Sequence, residues 1–274
     1  MKKFLALMLA VVMVFAFAAC GEKATKTEAP ETTGDVTLDI AMELTSEEYG
    51  IGFRKGSDLT AEVNKLMAEL TEDGTLPALA EKYTLVLADS EPKEEEEVSL
   101  KELDEIKAKG KLVIGITDYE PMNFKDDKGE WTGFDTEFAL AVCEKLGVEA
   151  EFVEIEWDSK FMQLESKAID CIWNGMTISE EVLKNTSCSK AYVKNAQVVV
   201  MAKDKIGTYK DAKSMADLSF AVESGSAGKA AADENGFKDV LEAGTQTDAL
   251  LEVQSGACDA CIIDLTMANA MLNK

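Results

Sequence analysis

KLVIGITDYEPMNF (residues 111–124), then GFDTEFALAVCEKLG (133–147), then FVEIEWDSKFMQLESKAIDCIWNGMTIS (152–179) is the stretch that decides the fold. Residues 112–116 are a short, continuously apolar run, which suits a buried parallel strand better than a half-exposed one. A polar loop with Asp118, Tyr119 and Glu120 follows. Asp135 then stands where it would cap a helix whose Phe138, Val142 and Leu146 recur at i, i+4 and i+8, with Gly147 past its end. Residues 152–155 read as the next strand, 158–166 as the next helix and 169–173 as a third strand. This alternation is a βαβαβ unit, and ligands of such sheets sit outside the carboxyl ends of the strands. Those ends are residues 117–120, 156–157 and 173–177, where polar and aromatic side chains gather.

Composition narrows the classes of function. The chain has 274 residues, enough for one large or two modest domains. Its formal charge is −24, and −26 without Lys2 and Lys3, so it carries no basic footprint for nucleic acid or anionic lipid. It has no histidine, which excludes Ser–His and Cys–His triads and the usual zinc sites. No metal, cofactor or catalytic group is expected. Residues 1–19 have a basic start and sixteen apolar residues, short of the roughly 20 that span a membrane, and end in small residues before Cys20. They read as an export signal, and residues 20–35 as a flexible tether. Cys258-Asp-Ala-Cys261 has CxxC spacing, but it lies in an apolar, strand-like run where positions i and i+3 face opposite ways, so it reads as packing rather than redox chemistry.

The remaining segments extend the pattern. Residues 36–40 and 49–53 read as strands, and 58–72 as a helix with Leu59, Val63, Leu66, Met67 and Leu70 on one face. A second short helix has Pro77 near its first turn. Residues 197–202, 218–223 and 258–263 read as strands, residues 248–254 and 265–272 as helices, and Ser224-Gly-Ser-Ala-Gly228 as a helix opening.

In ordered combination, Val113-Ile-Gly, Tyr119, Pro121, Phe124, Gly133-Phe-Asp, Leu146-Gly, Trp157, Ile169-Asp and Met176-Thr-Ile-Ser resemble the opening lobe of the solute-binding proteins of polar amino-acid ABC transporters, the bacterial extracellular solute-binding family 3. The resemblance covers nearly all of the chain after residue 35. It implies an α/β, two-lobed fold like the type II periplasmic binding proteins, each lobe a mostly parallel sheet flanked by helices. Residues 36–86 resemble the family's closing segment yet precede its opening strand, so a circularly permuted order is expected. Lobe 1 would comprise residues 44–86 and 111–194, lobe 2 residues 36–43 and 195–274, with 87–110 joining the family's usual ends. Cys20 resembles a lipoprotein box. The lobes would be joined by crossing strands near residues 41–44 and 193–196.

The resemblance also implies a site. Tyr119 and Trp157 would stack on a ligand side chain, or serve as core or rim aromatics. Asn174, Gly175, Met176 and Thr177 follow the third strand, where the Gly175 carbonyl and Thr177 hydroxyl would accept from a ligand ammonium; Thr177-x-x-Glu180 also fits a capping box. Asp118 borders the same cleft. Asp264 would be the counter-ion of an α-ammonium or a helix cap, and Ser224, Ser226 and Ala227 open a helix suited to a carboxylate. The family's carboxylate-gripping arginine is replaced by Val182. Arg54, the only arginine, reads as a solvent-facing charge. The implied protein is a lipid-anchored, monomeric receptor on the outer face of the cell membrane. It would bind an amino acid or related amine, neutral or basic rather than acidic, for a membrane permease. A dehydratase- or lyase-like enzyme using cleft carboxylates is the alternative.

Overall fold

The computed structural model describes residues 36–89 and 98–272. The expectations for the export signal, Cys20 and the tether, and for the acidic run 94–97, lie outside the described residues. Among the described residues no helix is long and apolar enough to cross a membrane.

One strand organises the molecule. β1 (Leu38–Phe53) runs for 16 residues without a break. The two strands expected at 36–40 and 49–53 are its two ends. Its middle reads as loop from sequence because its residues are polar and half-exposed, while Tyr49–Phe53 are buried. A ladder on each side holds it extended. β8 (Val193–Ala202) pairs with it antiparallel from Leu38↔Ala202 to Tyr49↔Val193, and β6 (Cys171–Thr177) from Tyr49↔Thr177 to Phe53↔Cys171. Register shifts at Ile40/Met42, Glu43/Thr45 and Gly50/Gly52 let it bend and twist between the two halves.

On one side of β1, β2 (Lys111–Ile116) pairs parallel with β6 and with β5 (Glu149–Glu154). On the other, β11 (Ala260–Asp264) pairs antiparallel with β8 and parallel with β9 (Ser219–Glu223), which carries the parallel edge strand β10 (Asp239–Ala243). Each half is thus a parallel sheet apart from the long antiparallel pair that crosses between them. β10 escapes a sequence reading because its DVLEA has no apolar alternation and is mostly exposed.

Helices cover both faces. α1 (Leu59–Glu72) and α2 (Thr75–Lys82) pack on α4 (Phe134–Leu146). Leu59, Val63, Leu66 and Met67 share one apolar cluster with Phe138, Leu112 and Trp173, so residues 36–86 have their core in common with the rest of the sheet. A separate cluster under the second half joins Val199, Phe220, Ala232 and Ile262. α3 (Leu103–Lys109) lies within the segment expected only as a joining stretch, and buries Ile106.

Two polar residues differ from their expected roles. Asp135 does not cap α4, whose N-cap is Gly133; its buried Oδ2 instead accepts from the Gly175 N–H at 2.6 Å and the Tyr192 hydroxyl at 2.9 Å. Burial pushes its pKa up to about 7, against those two hydrogen bonds. Arg54 is not solvent-facing. It is buried against Glu102 and Asp170 and donates to the carbonyls of Ile169 at 2.6 Å and Leu164 at 3.0 Å, tying β1 to α3 and to the segment before β6. A fixed guanidinium fork with five donors fits this multiple role.

Candidate functional site

The carboxyl ends of β2, β6, β9 and β11 meet the middle of β1 around a cavity of about 240 Å³. That is below the roughly 300 Å³ at which pockets for drug-sized ligands begin, and suits a smaller solute. Of the expected residues, Tyr119, Trp157, Asn174, Gly175, Met176, Thr177, Ser226, Ala227 and Asp264 line it. Asp118 and Ser224 do not. Asp118 is exposed, and the Ser224 hydroxyl donates to Glu242 at 2.8 Å.

At the centre of one wall lies a carboxylate pair that sequence reasoning only half found. Asp264 ends β11 and is 3% exposed. Its Oδ1 accepts from the side-chain amides of Asn195 and Gln197, both at 2.5 Å, and its Oδ2 from that of Gln246, the first residue of α8 (Gln246–Gln254). Beside it, Glu47 Oε1 accepts from the Thr177 hydroxyl at 2.7 Å, the Asn195 amide at 2.7 Å and the Gln197 amide at 2.8 Å. Burial, and then the charge of Glu47, push Asp264 up to about 7. Glu47 escaped notice because it sits in the polar middle of β1. Asn195 and Gln197, two apart on β8, point the same way and reach both acids.

Several expected roles change. Thr177 does not cap the following helix, α6 (Glu180–Asn185); Ser179 does, accepting from the Val182 N–H. Asn174 faces inward, exchanging hydrogen bonds with Thr117 at 2.7 and 3.0 Å, so its amide is already committed. Tyr119 is fully buried and its hydroxyl meets those of Tyr49 at 2.5 Å and Thr266 at 2.6 Å. Gly175 has φ +55°, and a Cβ there would lie 2.6 Å from the Tyr119 ring, so only glycine fits between them.

Charge in the cavity is lopsided. Glu47, Glu181, Glu223, Glu234 and Asp264 line it, with Lys160 as the only cation among its lining residues. Glu223, at the end of β9, is 3% exposed and its Oε1 has no hydrogen-bond partner among the described residues. Burial pushes it up to about 8, helped by Asp264 and opposed by Lys160. Lys160 opens α5 (Lys160–Glu165) and was missed, since a lysine starting a helix reads as a surface charge. The two halves touch here: a Cβ on Gly225, which has φ +67°, would lie 2.8 Å from Asp158 Cα. Val182 is buried in the wall and brings no charge.

A two-lobed α/β molecule with a small polar cavity between halves joined by crossing strands belongs to the class of periplasmic-type binding proteins. Residues 112–245 match the bacterial extracellular solute-binding proteins, family 3, and the chain belongs to that family. It is 37% identical over 111 residues to the L-cystine-binding protein TcyJ of Escherichia coli, covering 40% of this chain and 42% of TcyJ. It is 33% identical over 162 residues to the arginine-binding extracellular protein ArtP of Bacillus subtilis, covering 57% of this chain and 62% of ArtP. The matches thus span less than two thirds of either relative. The arginine-bound form of a truncated ArgBP from T. maritima superposes with a TM-score of 0.59 at 34% identity, covering 62% of this chain and 81% of that one.

Proposed function

We propose that this protein is an extracellular receptor that captures an amino acid or related amine carrying at least one ammonium group, and delivers it to an ABC permease. The observation that carries this reading is the Asp264–Glu47 pair. Three amides and a hydroxyl hold both carboxylates at the cavity wall and the Tyr119 hydroxyl also reaches Asp264, while Glu47 Oε2, which has no hydrogen bond among the described residues, is left to receive a ligand donor beside Asp264. Two adjacent acids in a buried wall repel each other, and a cation between them relieves that repulsion. Neutral or basic ligands are favoured over acidic ones by the excess of carboxylates in the lining. The names of the cystine- and arginine-binding relatives support an amino acid as the solute.

The segment order is read the same way. Residues 36–86 supply the crossing strand and two helices that share the core of residues 111–272, as expected if the family's ends were joined and new ends opened in the second lobe. Lobe 1, lobe 2 and the joining segment are assigned as in the sequence analysis. Attachment through a lipidated Cys20, and a monomeric state, complete the proposal.

An enzyme is the second reading, favoured by two buried carboxyl groups, Glu223 and Asp264, whose pKa values are near neutral. Incubation with a ligand that binds, followed by mass spectrometry, separates the two. Recovery of the ligand intact supports the receptor, and stoichiometry-exceeding conversion overturns it.

A further inference from the structure

Lys160 is a buried cation without a counter-ion. It is 5% exposed, and among the described residues no carboxylate lies within 4.0 Å of its Nζ. The ammonium donates to the Trp157 carbonyl at 3.2 Å in its own lobe and to the Gly225 carbonyl at 2.9 Å across the cleft. It also lies over the Trp157 and Phe161 rings, 4.9 and 4.8 Å from their centroids. An ammonium has three donors, so one remains, and the residue lines the cavity. Isolated charges are not left buried without compensation. Carbonyls and ring faces compensate part of this one. Glu181, Glu223 and Asp158 act on it only from beyond ion-pair range.

Its surroundings are suited to an anion. The turn that accepts from Lys160 leads directly into α7 (Ala227–Glu234), whose Lys229 N–H is capped by the Ser226 hydroxyl at 3.2 Å, while the Ala227 and Gly228 N–H groups have no intrahelical acceptor. Ser226 and Ala227, at that helix start, line the same cavity. Val182, at the position where a family arginine was expected, offers no charge.

We propose that Lys160 is the carboxylate-recognising residue of the cavity, selecting zwitterionic amino acids over simple amines through its remaining N–H. This rests on the receptor reading above. The cavity then has a cationic end at α5 and α7 and an anionic end at Asp264 and Glu47, matching the two charges of an α-amino acid. The same ammonium, bonded across the cleft, makes carboxylate binding and lobe closure depend on one group.

The test is calorimetry of arginine, lysine and glutamine beside agmatine, cadaverine and 4-aminobutanamide, amines that lack only the carboxylate. For whichever amino acid binds, the wild type should prefer it to its amine by about tenfold or more. Lys160→Met should weaken the amino acid about tenfold to a hundredfold while the amine stays within about threefold. Lys160→Arg should retain most amino-acid binding, and Lys160→Gln, which keeps a neutral donor for the carbonyls, should lose it like Met if Met perturbs folding. Equal losses for amino acid and amine would make Lys160 a lobe latch and overturn the assignment, as would unchanged amino-acid binding in Lys160→Met. Binding of none of the six compounds by the wild type would overturn the receptor reading itself.

Discussion

Replacing Asp264 with asparagine is the sharpest perturbation of the proposed site. Its consequences can be worked from the hydrogen bonds. Oδ1 receives two amides and Oδ2 one, that of Gln246, while Gln246 Oε1 accepts from the Asp264 N–H at 2.8 Å. Keeping the oxygen of the substituted side chain under Asn195 and Gln197 sets its new NH₂ against the Gln246 NH₂. Rotating Gln246 to relieve this removes its bond from the backbone N–H. One hydrogen bond is therefore lost in either arrangement. Against that, the mutation removes a buried charge beside Glu47, which favours the folded state, so net stability should shift by no more than about 1–2 kcal/mol. Binding has no such offset. An ionic hydrogen bond to the ligand ammonium contributes roughly 1.5–3 kcal/mol, so affinity should fall about tenfold to a hundredfold. The assay is calorimetry of Asp264→Asn beside Asp118→Asn, which lies outside the cavity and should stay within about threefold. An Asp264→Asn affinity within the same threefold would refute the reasoning.

Further substitutions and conditions probe the same structure. Gly225→Ala places a Cβ against Asp158 backbone at 2.8 Å in a left-handed conformation; it should hold the lobes apart and weaken binding about tenfold or more, and lower the melting temperature of the free protein by a few degrees through backbone strain. Arg54→Met leaves buried Glu102 without its main counter-ion and Asp170 with Lys109 alone, at a cost of about 3–5 kcal/mol, or roughly 6–20 °C in thermal unfolding. The pKa values of Asp135, Glu223 and Asp264 are raised by folding, so above their unfolded values the native state binds more protons and stability falls as pH rises. Melting of the ligand-free protein should therefore decline from about pH 5 to above pH 8, whereas affinity for an ammonium ligand should strengthen over pH 6–8 as Asp264 and Glu223 ionise. A chain reordered as 98–272 followed by 36–89, which keeps α3 and the Arg54–Glu102 pair, should fold with a similar far-ultraviolet spectrum and equal affinity; failure to fold would contradict the permuted reading.

β2 was legible because a short run that is apolar throughout, residues 112–116, suits burial on both faces of a sheet, and β5 and β6 were legible from their place in the strand–helix alternation that follows it. β1 was not, because its middle is held extended by two neighbouring ladders rather than by its own pattern. Asp264, Thr177 and Trp157 could be placed at the cavity from their positions at strand ends together with the family resemblance. The partners of Asp264 could not, since Asn195, Gln197 and Gln246 are brought together only by tertiary pairing. Asp135 and Arg54 show the limit in the other direction. An acid before an apolar periodicity looks like a cap whether or not its carboxylate turns inward, and a lone arginine looks solvated until Glu102 and Asp170, 48 and 116 residues away, are folded against it.

The most direct test of the central claim is calorimetry of the wild type with glutamate beside glutamine and lysine at neutral pH. The lining carries five carboxyl groups against one lysine, and even with Glu223 and Asp264 only partly ionised at neutral pH the acids outnumber Lys160, so the second carboxylate of glutamate meets repulsion that glutamine and lysine do not. Glutamine or lysine should bind at least about tenfold more tightly than glutamate. Micromolar binding of glutamate, with glutamine and lysine silent, would contradict the account.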